Sequence, residues 1–446
     1  MGFPALVCPP ASVTAPCKCG SDIADIGNAF LDCSNQGLSD SQLSTILNAF
    51  LASGISPLTN LDASGNRLTI VPAILPKLAF LWAIHLSNNK ITSIPPGAFN
   101  YPLAVYFFVY LQSNIIKSIP PDAFNIPKAS SIIISLHSNQ ITAISSGMFS
   151  YPLANSIFIA LNSNQIPLIP SGMFNYPSAS TAVKIWLSKN KITSIQSGAF
   201  SSPSSNLSPI LSVTLDDNKI TSISSSMFNY LLATTVEITL NNNNITAIPS
   251  GAFCYSSAVG LMIDLQSNQI TSISSNAFIV DPAATYIYLR LQDNQITAIP
   301  SSSMFNYPSA TSVTILIQRN KITAIPSGGM FNYPEATTAN FDFSFNQITA
   351  IPAKTFTFSS QTYAWINLGV NKITTVGTGS FQGKFNRKLY TFAHLYSIYL
   401  FVGFNFNRLC VLFPTGLQRI DSISGKCIQA HSSEYGPYSY IRSKPQ

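Results

Sequence analysis

The chain has 446 residues, 46% of them hydrophobic and only 9% charged, with a formal net charge of +7. Such a length with that apolar content can bury a large core and would by itself suggest about two to four domains. No block of five or six like charges occurs, so neither a nucleic-acid-binding stripe nor a solvated charged tail is indicated.

The first 57 residues hold four of the seven cysteines, Cys8, Cys17, Cys19 and Cys33. Eight and thirteen residues flank the central Cys-x-Cys and no His is near, which is poor spacing for zinc and favours disulfides. Disulfides imply an oxidising compartment. Only seven residues, MGFPALV, precede Cys8. They are too few for the charged and apolar parts of a secretory leader, so no signal peptide is visible.

From residue 58 to 383 one phrase recurs, as in LSNNKITSIPPGAFNYP (86–102) and LNSNQIPLIPSGMFNYP (161–177). Aligned on the pattern apolar-x-apolar-x-x-Asn-x-apolar, it places an Asn at Asn66, Asn89, Asn114, Asn139, Asn164, Asn190, Asn218, Asn243, Asn268, Asn294, Asn320, Asn346 and Asn371, at spacings of 23 to 28. A further match, VGFNFNRL, falls at Asn407. A tandem repeat of this period overrides the length-based domain estimate.

Each fixed position has a physical reason. Alternating apolar residues before the Asn, such as Ile84 and Leu86, predict a short strand with one buried face. The Asn amide, with two donors and an acceptor, suits a bend that orphans backbone groups, and stacked copies from Asn89 to Asn371 predict a ladder. Five residues on comes a second apolar row, Ile94 to Val376. Ten or eleven residues after the Asn comes a Phe, from Phe99 to Phe381, which predicts an aromatic spine opposite the strands. Pro after the second Ile, as at Pro95 and Pro120, suits an extended return segment. One coil cannot bury its own faces, so the repeats must stack, and about thirteen strands at roughly 4.8 Å give a parallel sheet of order 60 Å.

Two rows point out of that sheet. Four residues before the ladder Asn, the row reads Asp62, His85, Tyr110, Ser135, Ala160, Trp186, Thr214, Thr239, Asp264, Arg290, Leu316, Asp342, Asn367. Two residues before it, the row is small or amide-bearing and includes His137, with Gln266, Gln292 and Gln318 in succession as a possible amide ladder. Aromatic residues and Arg are the usual binding anchors. Tyr110, Trp186 and Arg290, with His85, His137 and Asp264, are therefore the candidate ligand-binding residues. A low-charge, hydrogen-bonding face suits a protein or glycan partner better than a phosphate-rich one.

Chemistry for an enzyme is missing. The four His are scattered, no HExxH or G-x-S-x-G occurs, and GTGSFQG (377–383) is one residue off a dinucleotide fingerprint. No catalytic residue, metal site or cofactor is expected. Residues 384–431 carry an aromatic insertion, LYTFAHLYSIYLFVGFNF (389–406), long enough to span a bilayer. Its Thr391, His394, Ser397, three Tyr and Asn405 argue against a membrane span and for a distorted last coil. Residues 432–446 read as a loose polar tail. Two sequons occur: Asn244-Ile245-Thr246, a candidate glycosylation site, and Asn206-Leu207-Ser208, which Pro209 disfavours. Cys254 is left over as an unpaired thiol.

The repeats resemble the leucine-rich-repeat family, in its typical extracellular class found in Toll-like receptors, Slit-type proteins and the variable lymphocyte receptors of jawless fish. The resemblance covers about residues 58–383. Where the family commonly has Leu three residues after the Phe, this chain often has Pro, as at Pro102 and Pro127. It implies an α/β solenoid: a horseshoe of 13–14 coils with a parallel concave sheet and a mostly irregular convex side. CPPASVTAPCKC…LDCSNQGLSD resembles the family's N-terminal cysteine cap, which implies the pairs Cys8–Cys19 and Cys17–Cys33. Cys410 and Cys427 are the pair available to a reduced C-terminal cap. The resulting expectation is a secreted or cell-surface recognition or adhesion module, non-enzymatic, with a structural matrix or surface-coat protein capable of self-association as the alternative.

Overall fold

The computed structural model describes residues 8–21, 29–54, 57–201, 210–225, 227–230, 232–301, 303–358 and 363–382, and the backbone of 399–401, 410–413 and 416–417. In each repeat the apolar alternation runs over five residues, so that every second side chain is buried, and a strand forms where both demands meet. The strands join one fifteen-stranded sheet. They are β1 (Lys18–Ser21), β2 (Ala29–Asp32), β3 (Leu58–Asp62), β4 (Ala83–His85), β5 (Tyr106–Tyr110), β6 (Ser131–Ser135), β7 (Ser156–Ala160), β8 (Ala182–Trp186), β9 (Ile210–Thr214), β10 (Thr235–Thr239), β11 (Gly260–Asp264), β12 (Tyr286–Arg290), β13 (Ser312–Leu316), β14 (Thr338–Asp342) and β15 (Tyr363–Asn367). β1 and β2 pair antiparallel, and every later neighbour is parallel, in register from one coil to the next apart from one shift at Ala29/Phe30 where β2 meets β3. The molecule is a parallel β-solenoid.

The ladder Asn joins adjacent coils. Asn268 Nδ2 donates to the carbonyls of Leu265 in its own coil (3.1 Å) and Leu240 in the coil before (3.0 Å). Its Oδ1 accepts from Ile245 N–H of the preceding coil at 3.0 Å. The same set recurs at Asn89, Asn139, Asn190, Asn243 and Asn320. The residue just before each Asn takes the left-handed conformation, from Asn88 (φ 54) to Val370 (φ 54). The tight bend there is what brings the amide inward.

Opposite the sheet, the Phe rings stack in two runs, Phe99 to Phe278 and Phe305 to Phe381. Centroids lie 5.1 Å apart at Phe99–Phe124 and 4.9 Å at Phe331–Phe356. Where the first run meets the second, a cavity of about 360 Å³ opens between Phe278, Asp281, Asn306 and Tyr307. The convex side is more regular than the sequence reading expects. Short parallel pairs form there, such as Phe174–Asn175 with Phe200–Ser201, and Phe253–Tyr255 with Phe278–Val280. Their cause is a second buried row two residues after the Phe: Tyr101, Tyr151, Tyr176, Tyr230, Tyr255, Tyr307 and Tyr333. Tyr101 and Tyr230 donate their hydroxyls to the carbonyls of Leu75 (2.7 Å) and Phe174 (2.8 Å) in earlier coils.

Helix among the described residues is confined to the N-terminal cap and one 3-10 turn, Leu75–Lys77. A short α1 (Ala11–Thr14) precedes α2 (Asp40–Ala52). Ser39 and Gln42 close α2 in a reciprocal capping box, and Leu43, Ile46, Leu47 and Phe50 bury one face of it. Cys8–Cys19 and Cys17–Cys33 are disulfide-bonded, as the cap resemblance implies. The Cys410–Cys427 pairing, the Asn407 coil, the loose tail and most of the aromatic insertion lie outside the described residues.

Two stability outcomes follow. Asn268→Leu leaves the Ile245 N–H buried without a partner and takes one of two donors from each of the Leu240 and Leu265 carbonyls, which keep Asn243 and Asn294, and should destabilise by about 2 kcal/mol, while Gln269→Leu on the exposed side should change stability by less than about 0.5 kcal/mol; urea unfolding of both variants tests this. Val370 is β-branched, 46% exposed and held at φ 54. Val370→Asn should raise stability by about 1 kcal/mol, read as a higher thermal midpoint.

Candidate functional site

The strands place four rows on the exposed side of the sheet, two more than the sequence reading used. The row containing His85, Tyr110 and Trp186 closes each strand, and the His137 row follows it. A third row, fixed by the register, runs Phe108, Ile133, Phe158, Lys184, Ser212, Glu237, Met262, Tyr288, Thr314, Asn340, Trp365. A fourth begins each strand and includes the exposed Tyr106, Tyr286 and Tyr363. These residues could have been found by extending the period-2 alternation two and four residues further upstream of each Asn.

His85 and Tyr110 sit on neighbouring strands and stack face to face, centroids 4.4 Å apart at 16°. Trp186, three strands along, is 40% exposed and meets Phe158 edge-on at 4.6 Å. Trp82, just before β4, lies edge-on to Phe108 at 5.6 Å. His137 is half-buried in the coil after β6, its Nδ1 3.2 Å from Ser138 Oγ. Tyr110, Trp186, His85 and His137 thus share the aromatic half of the sheet, β4 to β8.

Arg290 and Asp264 belong elsewhere, on β12 and β11. Arg290 pairs with Asp264 at 2.8 Å and also donates to the side-chain carbonyl of Gln266, so its guanidinium is held within the sheet. Asp264 is only 4% exposed; burial pushes its carboxyl up, against the Gln266 N–H and Arg290, which hold it down. The expected amide ladder forms in part: Gln292 Nε2 donates to Gln266 Oε1 at 2.6 Å, and the side-chain carbonyl of Gln318 is buried without a partner. Between the two halves lies a hydroxyl–carboxylate network, in which Asp216 accepts from Ser188 Oγ (2.6 Å) and Thr239 Oγ1 (3.0 Å).

Burial lowers the imidazole pKa of His85, opposed by the Asp62 carboxylate, and burial lowers that of His137. Both are therefore neutral at pH 7. Across the four rows on β4–β8, Lys184 is the one formally charged side chain. Among the described residues, no group of three or more His, Cys, Asp or Glu could hold a metal, and no helix is long and apolar enough to cross a membrane. Asn244 is exposed, its backbone N–H bonded to Ile220. Cys254 is a half-buried free thiol on the convex side.

Residues 92–230 and 168–301 match the model of the BspA type leucine-rich repeat region, in six copies. No curated protein matches the chain. Among solved structures, the chain is similar to TLR13 in its complex with ssRNA13: 16% identity, 80% of this chain and 58% of that one, TM-score 0.51. It is similar to the Toll–Spatzle complex of Drosophila at 18% identity, over 74% of this chain and 48% of that one, TM-score 0.47. A leucine-rich-repeat protein of Leptospira interrogans aligns at 19% identity over 78% and 85%, TM-score 0.44. At 16% identity the likeness to TLR13 is one of fold. The chain spans about half the length of the Toll and TLR13 chains, 48% and 58%.

The two depressed histidines give a pH dependence of known sign. Below the ordinary imidazole range the unfolded chain binds protons that His85 and His137 refuse in the fold, so stability should fall on acidification from about pH 7 to about pH 5. The double variant H85F/H137Q should flatten that slope in urea unfolding; an unchanged slope would reject these residues as its source.

Proposed function

Since the repeat array of this chain is a leucine-rich-repeat solenoid, we propose that it is a non-enzymatic recognition module that engages its partner through the concave sheet, outside the cell or at its surface. The observation that carries this reading is the placement of tryptophan. The chain has three: Trp186 and Trp365 point outward from β8 and β15, and Trp82, just before β4, meets the outward Phe108 edge-on. Trp is the strongest hot-spot residue, and a purely structural array has no need to hold it at the surface of its concave side.

The aromatic half, β4–β8, is the better-supported seat for the partner. It joins Trp186, Phe158, Tyr110 and His85 across five neighbouring coils without an internal ion pair. Arg290 is a weaker anchor than its type suggests, because its charge already serves Asp264. The two disulfides of the cap support an oxidising compartment. The exposed Asn244 sequon accords with passage through a secretory pathway.

The test is capture. The full chain, secreted behind a leader and immobilised, is exposed to surface and secreted material from its own source, alongside Y110S/W186S and a convex-side control, N125S. The expected result is a partner retained by the parent and the control, and lost by Y110S/W186S by about 2 kcal/mol of affinity or more. Equal retention on all three surfaces rejects the concave-face reading.

A further inference from the structure

We propose that the aromatic half of the concave sheet is a subsite for a neutral oligosaccharide. The proposal rests on the concave-face reading and gives its partner a chemistry. Its second observation is a pair of orphaned amides. Gln112, directly after β5, and Asn162, directly after β7, each hold a side-chain carbonyl oxygen that is buried and accepts no hydrogen bond. Buried acceptors are nearly always satisfied, so two orphans beside one surface call for donors from outside the chain. The terminal torsion of Asn and Gln is broad, which lets the amide turn its oxygen to a ligand. The ladder residues Asn114, Asn139 and Asn164 of the same coils have every polar atom bonded, and Asn175, whose carbonyl oxygen is also unpartnered, lies on the convex side away from the rings.

The orphans flank the exposed rings. Tyr110 lies two residues before Gln112 on the same strand face, stacked on His85. Trp186 stands one coil beyond Asn162 and against Phe158. A pyranose ring offers a C–H face that packs on an aromatic plane and a rim of hydroxyls that donate to amide carbonyls. Both complements are present here, within a few coils. The rows repeat along the solenoid at about 4.8 Å per coil, close to the advance of one sugar ring in an extended chain, so successive rings meet successive coils.

Charge selects the class. With Lys184 the one formal charge on these rows and both histidines neutral, the surface has nothing to neutralise a row of sulfates or phosphates. A phosphate-bearing or heavily sulfated ligand would leave its anions facing aromatic rings and carbonyl oxygens. A neutral glycan leaves none.

The experiment is calorimetric titration of the full secreted chain with cellohexaose, chitohexaose, mannohexaose and laminarihexaose, with a heparin-derived hexasaccharide as the charged comparison and tryptophan fluorescence as a second readout. We expect at least one neutral hexasaccharide to bind with Kd of about 1 mM or tighter and to shift the fluorescence. W186A and Q112L/N162L should each weaken that binding by roughly tenfold or more, while N125S, on the convex side, leaves it unchanged. Circular dichroism confirms that the variants fold. Absence of binding by all four neutral sugars, tighter binding of the heparin fragment, or binding indifferent to W186A overturns the proposal. If the captured partner still depends on Tyr110 and Trp186 while no neutral sugar binds, the sugar chemistry falls and the concave-face reading stands, with a protein surface as the partner. If neither dependence is found, both fall.

Discussion

The ladder asparagine is the interaction on which the rest of this molecule depends. Each coil must turn sharply at the end of its strand, and the turn strips backbone groups of partners inside an apolar core. A single amide meets that need in two coils at once: it donates to carbonyls of its own coil and the coil before, and accepts an N–H from the coil before. Buried backbone groups left unpaired are costly, so the repeat length, the bend and the stacking register are tied to one side chain. Stacking then does what no isolated coil could, covering the Ile rows, the Phe spine and the Tyr row together in a continuous core.

This arrangement frees the outer face of the sheet. Because register and core are held by the Asn, Ile, Phe and Tyr positions, the residues that alternate outward are free of structural duty, and their chemistry varies from coil to coil. The concave face is accordingly divided. The N-terminal half is aromatic and nearly uncharged. The middle is a network of hydroxyls around Asp216, and the half beyond it ties Arg290, Asp264, Gln266 and Gln292 to one another. Unpartnered amide oxygens occur in both halves, at Gln112 and Asn162 and at Gln292 and Gln318, but a charge already held in an ion pair is a poor anchor for a partner, whereas a cluster of rings without one is a good anchor. The physical contrast, more than residue type, ranks the two halves.

Much was legible beforehand. The period named the fold, the Asn and Phe positions named the ladder and the spine, and the spacing of the cap cysteines favoured disulfides. The period-2 alternation also turns Tyr110, Trp186, His85 and His137 outward from the sheet, which is where the strands hold them. Two things were hidden. The buried Tyr row looked like the tail of a turn motif, since a Tyr between Asn and Pro in FNYP gives no periodic signal within one repeat. The outward row of Phe108, Phe158 and Trp365 escaped notice because the alternation reads as a strand that starts two to four residues later than it does.

The sequence by itself determined the solenoid, since a fixed period of buried positions admits no other way to hide its apolar faces. What only the tertiary structure decided is which outward residues remain available. Arg290 and Asp264 read as anchors one at a time, and the parallel register places them on adjacent strands where opposite charges within 2.8 Å neutralise each other. His85 and Tyr110, 25 residues apart, become one stacked surface by the same register. Pairing between coils is a long-range event, and the identity of a side chain says nothing of its neighbour until the coils are stacked.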